Sequence, residues 1–170
     1  VCGRVFSVLL ATWLILPLSV EAADDTDRFK NLRDYALLAE VAYRDRAEID
    51  QALALQGYRL TTHGQLPGYG VSYYLATNDT EKQQRIALRS TSYIENAIIY
   101  FALQLLPNKH TGIKLHQGFA LSADYIYQKV KDHLIRDYAI STTGHSLGGA
   151  AALILAMYLD ADSYDVNEVV

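Results

Sequence analysis

Several residue types that define whole protein classes are scarce in this sequence. It contains three prolines and one cysteine, Cys2, in 170 residues. A single cysteine excludes an intrachain disulfide and a cysteine-based metal centre. Lysine and arginine number 15 against 19 aspartates and glutamates, the formal net charge is −4, and no basic cluster occurs. This balance argues against nucleic acid as a partner, and the 51% of hydrophobic residues suits one globular domain.

A long apolar run occurs only at the beginning, within residues 1–23. Arg4 precedes the run from Val5 to Leu16, and small residues end the segment at Ala22 and Ala23. This order is typical of a secretory signal peptide. The alternative is an uncleaved membrane anchor, for which the run is short. We expect cleavage after one of the two alanines and a secreted protein, extracellular or periplasmic, without cysteine.

The remaining residues, 24–170, are expected to form one α/β domain. In the first half, periodicity predicts two helices and then the strands of a meander or hairpin, over residues 26–43, 47–56, 58–63, 70–77 and 84–90. In the second half it predicts helices over 93–106, up to Arg136 and over 146–159, and strands over 138–144 and 165–170. Alternation of helix and strand implies right-handed crossovers and a parallel sheet.

The stretch TTGHSLGGAAA, residues 142–152, places a serine between a predicted strand and a predicted helix. Ser146 follows Gly144 by two residues and precedes Gly148 by two, which is the pattern G-x-S-x-G. Glycines at these positions remove side chains that would clash in a sharp turn. The N-terminus of the following helix offers free N–H groups to a developing negative charge. The pattern predicts Ser146 as a nucleophile and the amide of Leu147 as an oxyanion donor.

The same turn is compatible with two other interpretations. Gly144 and Gly149 have the spacing of a phosphate-binding loop, but Ala150 and Ala151 stand where that loop requires Lys and Ser or Thr. The phosphate loop is therefore excluded. The second interpretation, a serine that only caps its helix, stays open on local residues alone.

Three segments in the same order resemble the class 3 (fungal-type) lipases. They are IALRSTSYIENAI at 86–98, KLHQGFALSADYI at 114–126, and the serine turn at 142–152. The resemblance covers roughly residues 26–170. It implies an α/β-hydrolase fold, with a mostly parallel central sheet flanked by helices and truncated after the nucleophile helix. It also implies hydrolysis of lipid carboxylic esters at an interface, with transient contact to a membrane or lipid-droplet surface and without metal or organic cofactor.

The resemblance assigns roles to individual residues. It makes Ser146 the nucleophile, Thr91 an oxyanion residue through its amide and hydroxyl, and Leu147 the second oxyanion amide. The family usually has glycine before the oxyanion residue, whereas this sequence has Ser90, whose side chain can shift the Thr91 amide. Residues 93–106 fall at the position of the lid, and a buried core helix is the alternative for this apolar segment.

A base and an acid for Ser146 are missing from the expected positions. In α/β-hydrolases both follow the serine, yet residues 147–170 contain no histidine. His145 lies inside the motif, His116 belongs to the family's His-x-Gly-Phe segment, and three aspartates form the loop closing the helix: Asp160, Asp162 and Asp165. We therefore expect the acid and base beyond Val170, and this chain to be an inactive or poorly active part of a longer domain.

Other functions remain open at this point. Phospholipase A1 and feruloyl-type esterase share this architecture with triacylglycerol lipases. A non-catalytic lipid-binding pseudoenzyme that keeps the serine turn is the alternative from another class.

Overall fold

The computed structural model describes residues 25–67, 70–89 and 104–170. The predicted signal peptide, Thr91 and most of the predicted lid segment lie outside these residues. Within them, no helix combines the length and the apolarity needed to cross a bilayer.

A five-stranded mixed sheet forms the centre of the fold. Its strands, in spatial order, are β1 (Arg59–Gln65), β2 (Ser72–Asn78), β3 (Gln83–Arg89), β6 (Ala139–Gly144) and β7 (Val166–Val169). The first three strands pair antiparallel as the predicted meander, whereas β3, β6 and β7 pair parallel as the alternating second half predicts. Parallel pairing brings the carboxyl ends of these three strands to one edge of the sheet.

Helices cover both faces of the sheet. On one face lie α1 (Asp25–Val41) and α2 (Arg46–Ala54), and on the other α3 (Gln117–Val130) and α4 (Leu147–Ala161). The side chains of β3 alternate between the two cores: Ile86 and Leu88 are buried with α3 and α4, and Ala87 is buried with α1 and α2. The result is an α/β/α sandwich, in agreement with the predicted class.

Two predicted helix boundaries are wrong. The described end of the helix expected over 93–106 is not helical: Gln104 is irregular and Leu105–Pro107 form β4, which pairs with β5 (Lys114–His116). An apolar run does not reveal this pairing, which depends on a turn in which Asn108 Oδ1 accepts the N–H groups of His110 and Thr111. In addition, α3 ends at Val130, and a 3₁₀ turn at Lys131–His133 follows, short of Arg136.

A buried glutamine fixes β3 to the segment that enters β6. The Gln84 Nε2 donates to Thr77 Oγ1 at 3.1 Å and to the His133 carbonyl at 3.0 Å. Its Oε1 accepts the Ile135 N–H at 2.8 Å. All three polar functions of this fully buried amide are thus satisfied. This contact holds the amino ends of β3 and β6 together, at the edge of the sheet opposite Ser146.

We expect Gln84→Leu to lower the free energy of unfolding by about 1–3 kcal/mol, because the Ile135 N–H loses its acceptor. Urea unfolding measures the change. The neighbouring Gln83→Leu is the control, since Gln83 is only partly buried and its Oε1 accepts a hydrogen bond from the Tyr58 hydroxyl. Equal losses for the two variants would contradict the role assigned to Gln84.

Candidate active site

Ser146 has a backbone conformation that non-glycine residues rarely adopt. It lies between the end of β6 and the start of α4, with φ 57° and ψ −123°. These angles match the first central residue of a type II′ turn, a position that favours glycine. A non-glycine residue in such a region costs about 1–3 kcal/mol and persists only where its surroundings impose it.

Contacts between backbones impose this conformation. A Cβ atom at Gly144 would lie 2.5 Å from the carbonyl carbon of Gly148, and one at Gly148 would lie 2.6 Å from the Leu88 oxygen. An alanine at either position would therefore overlap main-chain atoms that cannot move aside. The first turn of α4 thus rests directly on the ends of β6 and β3, and Ser146 makes the sharp reversal between them.

The Ser146 hydroxyl is exposed and is not used to cap its helix. The residue occupies the N-cap position of α4, but its side chain makes no capping hydrogen bond. The capping interpretation of the serine is therefore wrong. Leu147 is the first residue of α4, so its N–H has no acceptor within the helix and belongs to the positive end of the helix dipole.

Two adjacent threonines hold β6 to both helical layers. The Thr142 Oγ1 donates to the Ala152 carbonyl of α4 at 3.1 Å. The Thr143 Oγ1 donates to the Tyr35 carbonyl of α1 at 3.4 Å. Both threonines are buried. The strand that ends in the serine turn is therefore fixed on both faces immediately before the turn.

Three histidines lie near the sheet without reaching the serine. His145 is exposed and borders an apolar cavity of about 430 Å³ shared with Tyr43. His63 lies on β1, three strands from β6, which corresponds to about 14 Å. His133 lies in the 3₁₀ turn that precedes β6, at the opposite end of that strand.

The other two histidines belong to the region of β4 and β5. The His110 Nε2 lies 3.1 Å from Asp124 Oδ1, and the His110 ring packs on Tyr158 with centroids 4.4 Å apart. Tyr158 is 12 residues after Ser146 on α4, or about 18 Å along the helix. This histidine–carboxylate pair joins a turn to α3, and no sequence spacing could have predicted it. The His116 ring stacks on Phe119 at 4.5 Å.

The three aspartates that follow the serine lie at the far end of α4. Asp160 is in the last turn of the helix, Asp162 caps it and Asp165 immediately precedes β7. The Tyr127 hydroxyl donates to Asp162, and burial together with this carboxylate raises the pKa of Tyr127. The expectation that these residues close the helix agrees with their positions.

No histidine hydrogen-bonds the Ser146 hydroxyl in the part of the chain that the structure describes. Nor do the described residues contain a group of three or more His, Cys, Asp or Glu side chains able to hold a metal ion. The geometry brings together Ser146, Leu147, Gly144 and Gly148, whereas Thr91 lies outside the described residues. Chemically, the arrangement presents an accessible hydroxyl beside a helix N-terminus.

Comparisons with known sequences agree on one family. A family model described as lipase (class 3) matches residues 85–168. The lipase of Rhizomucor miehei is 34% identical over 104 residues, which cover 54% of this chain and 27% of that protein. The secreted mono- and diacylglycerol lipase 1 of Fusarium solani is 28% identical over 102 residues, covering 56% and 31%. The matched segments therefore cover less than a third of the length of these two relatives.

Solved structures of lipases have the same fold. The nonglycosylated Lip2 lipase of Yarrowia lipolytica superimposes with a TM-score of 0.68 at 25% identity, over 86% of this chain and 58% of that chain. A lipase from Rhizopus microsporus var. chinensis superimposes with a TM-score of 0.66 at 24% identity, over 84% and 56%. Both superpositions cover most of this chain and little more than half of each lipase.

The backbone strain at Ser146 can be tested by measuring stability, without measuring activity. Ser146→Gly should unfold at higher urea than Ser146→Ala, by about 1 kcal/mol, because only glycine adopts the positive φ without cost. The hydroxyl is absent from both variants. Ser122, in the middle of α3, is the matched control, where alanine should be more stable than glycine by about 1 kcal/mol. The same order of stability at both sites would contradict the strained turn.

Proposed function

Because the chain belongs to the class 3 lipase family and has the α/β-hydrolase fold of its structural relatives, we propose that it carries the nucleophile of a secreted serine hydrolase. The substrates are carboxylic esters of lipids. The observation that carries this proposal is Ser146 itself: an exposed hydroxyl in a strained turn, made possible by two glycines. Strain of this kind at an exposed serine is typical of functional sites.

The reaction begins when the Ser146 Oγ attacks the carbonyl carbon of the ester. The hydroxyl proton passes to a histidine and from it to the departing alcohol, which leaves an acyl-enzyme. Water, deprotonated by the same histidine, then releases the fatty acid. None of the five histidines of this chain lies in a suitable position, so we assign the base and its orienting acid to a part of the protein after Val170.

Hydrogen-bond donors beside the serine stabilise the negative charge of the tetrahedral intermediate. The N–H of Leu147 lies at the N-terminus of α4, beside the serine. The second donor is Thr91, through its amide and hydroxyl, two residues after the end of β3. Because β3 and β6 are parallel neighbours, their carboxyl ends meet at one edge of the sheet. Loss of one donor of this kind typically lowers the rate by about 10²–10³.

The names of the relatives favour acylglycerols as substrates over phospholipids and feruloyl esters. Besides the mono- and diacylglycerol lipase of Fusarium solani, the human diacylglycerol lipase-alpha matches with 29% identity over 108 residues. Secretion is supported by the signal-like residues 1–23 and by the Fusarium relative, whose name includes secreted. A pseudoenzyme is disfavoured, because a serine that has no chemical role would be replaced by glycine without cost to this turn.

We expect a fluorophosphonate probe to label the full-length protein at Ser146, because the probe reacts with activated serine hydroxyls. Mass spectrometry of the labelled peptide identifies the site. Ser146→Ala should abolish labelling. Ser163→Ala is the matched control, since Ser163 is also exposed and also has a positive φ, 61°, but lies beyond the far end of α4. A full-length protein that folds but remains unlabelled would favour the non-catalytic alternative.

The lid remains a second proposal, for residues 93–106. A cover over the acyl site would open at a lipid surface and expose its apolar side chains. The last two residues of this segment, Leu105 and Leu106, lie in β4 and present exposed apolar side chains. A fixed core helix would instead lose stability when its apolar residues are replaced.

Replacing Ile98 and Phe101 with serine should lower activity on emulsified triacylglycerol by more than tenfold, since each apolar side chain of this size removed from water contributes about 1.5–3 kcal/mol and tenfold corresponds to about 1.4 kcal/mol. Activity on a soluble short-chain ester should stay within twofold of wild type, and so should the urea midpoint. Leu55→Ser is the control, because Leu55 is an 85% exposed leucine after α2. Equal activity of the double variant and wild type on emulsions would refute the lid.

A further inference from the structure

Arg89 ends β3 at the point where this strand meets the serine turn. A Cβ atom at Gly148 would lie 3.2 Å from the Arg89 Cα, so the Arg89 backbone touches the first turn of α4. Thr91, the proposed oxyanion residue, follows two positions later. The end of β3, at the described residue nearest to Thr91 on this side, therefore lies directly against the serine turn.

The Arg89 side chain contacts an aromatic ring rather than a carboxylate. Because Leu88 is buried with α3 and α4, Arg89 points to the opposite face of the sheet. Its guanidinium carbon lies 5.4 Å from the centroid of the Tyr43 ring, and its buried Nε has no hydrogen-bond partner among the described residues. Glu40, near Tyr43 in sequence, is bound by Arg44 at 2.9 Å. The stacking on Tyr43 is thus the specific contact of this cation within the described chain.

Tyr43 follows α1, with its backbone held in a turn and its side chain 38% exposed next to a cavity beside the serine turn. Its N–H donates to the Glu40 carbonyl at 2.9 Å in the turn that ends α1. Its side chain borders the cavity that Gly144 and His145 also line. The Arg89–Tyr43 pair therefore links the end of β3 to α1 on one face, while α4 supports the same backbone from the other face.

We propose that Arg89 is a positioning residue, which through its stacking on Tyr43 holds the end of β3 against the serine turn, and on which the proposed oxyanion role of Thr91, two residues later in the sequence, depends. This inference rests on the proposed function and deepens it. The contribution concerns the transition state, because an oxyanion donor strengthens its bond only as the carbonyl oxygen becomes charged.

A second arginine on the same strand supplies an internal comparison. Arg85 lies on the same face of β3 and stacks between Tyr35 and Tyr58, at 4.9 and 4.8 Å, with an Nε that likewise lacks a hydrogen-bond partner among the described residues. It is four residues earlier, which is about 13 Å from the turn. Arg85 thus makes the same kind of contact with aromatic rings as Arg89, but at a distance from the serine turn.

The test compares Arg89→Met with Arg85→Met in the full-length protein. Arg89→Met should lower kcat by about tenfold or more, since a misplacement of about 1 Å can cost up to 10² in rate, with KM within twofold. The rate of fluorophosphonate labelling at Ser146 should fall in parallel. Arg85→Met should leave kcat and labelling rate within twofold, whatever it does to the urea midpoint.

Variants of the aromatic partner test the same contact should Arg89→Met fail to fold. Tyr43→Leu should reproduce the loss of kcat, and Tyr43→Phe, which keeps the ring, should restore it to within threefold of wild type. Combining Arg89→Met with Tyr43→Leu should lower kcat no further than either change alone.

The outcomes separate this inference from the proposed function. A labelled wild-type protein whose Arg89→Met or Tyr43→Leu variant keeps the full kcat overturns the positioning role and leaves the proposed function intact. Equal losses of kcat in Arg85→Met and Arg89→Met overturn it as well, because they indicate a general effect of removing stacked arginines. An unlabelled wild-type protein overturns the proposed function and this inference together.

Discussion

The close approach of α4 to the sheet determines the geometry of the whole site. With Gly148 in contact with the Leu88 carbonyl, and Gly144 in contact with Gly148, no room exists for a gradual transition from strand to helix. The chain must reverse within one residue, and that residue, Ser146, takes a conformation with positive φ. The strain has a chemical consequence, since a serine at the tip of such a reversal holds its hydroxyl away from the backbone groups that would otherwise bind it.

Such a reversal persists only if the elements on both sides of it are rigid. The buried side chains of Thr142 and Thr143 make β6 rigid, because they hydrogen-bond α4 and α1 from opposite faces of the strand. At the other edge of the sheet, Gln84 connects the amino ends of β3 and β6 through a fully satisfied amide. Packing and hydrogen bonding thus act on the same strand pair, whose carboxyl ends carry Ser146 and lead to Thr91. This agrees with the general placement of sites at the carboxyl ends of parallel strands.

Sequence patterns predicted the parts of this structure that depend on local chemistry. The glycines around Ser146 meet a steric requirement of the turn, and all residues involved lie within five positions of the sequence. The hydrophobic periodicities of α1, α3 and β6 indicate which face of each element is buried. The parts that could not be predicted depend on distant partners. The β4–β5 pairing joins two short segments across a turn, and the apolar residues of β4 continue the helical pattern of the preceding segment. Likewise, Arg89 and Tyr43 are 46 positions apart, so nothing in either neighbourhood indicates that they stack.

Local sequence order and distant contacts also contribute separately to the search for the base of Ser146. Chain order excludes the histidines upstream of Ser146 by topology, and their positions add a physical reason: His110 is bound to Asp124, and His133 and His63 lie away from the turn. The direction of β7 bears on the position of the proposed base. Because β7 is parallel to β6, Val170 reaches the level of the turn, where its carbonyl accepts the Gly144 N–H at 3.2 Å and its N–H donates to Thr142 at 3.0 Å. Val170 therefore lies at the edge of the sheet that presents the Ser146 hydroxyl. The histidine and the acid proposed for Ser146 would approach the serine from this edge, because β3, α1 and α4 already pack around the turn.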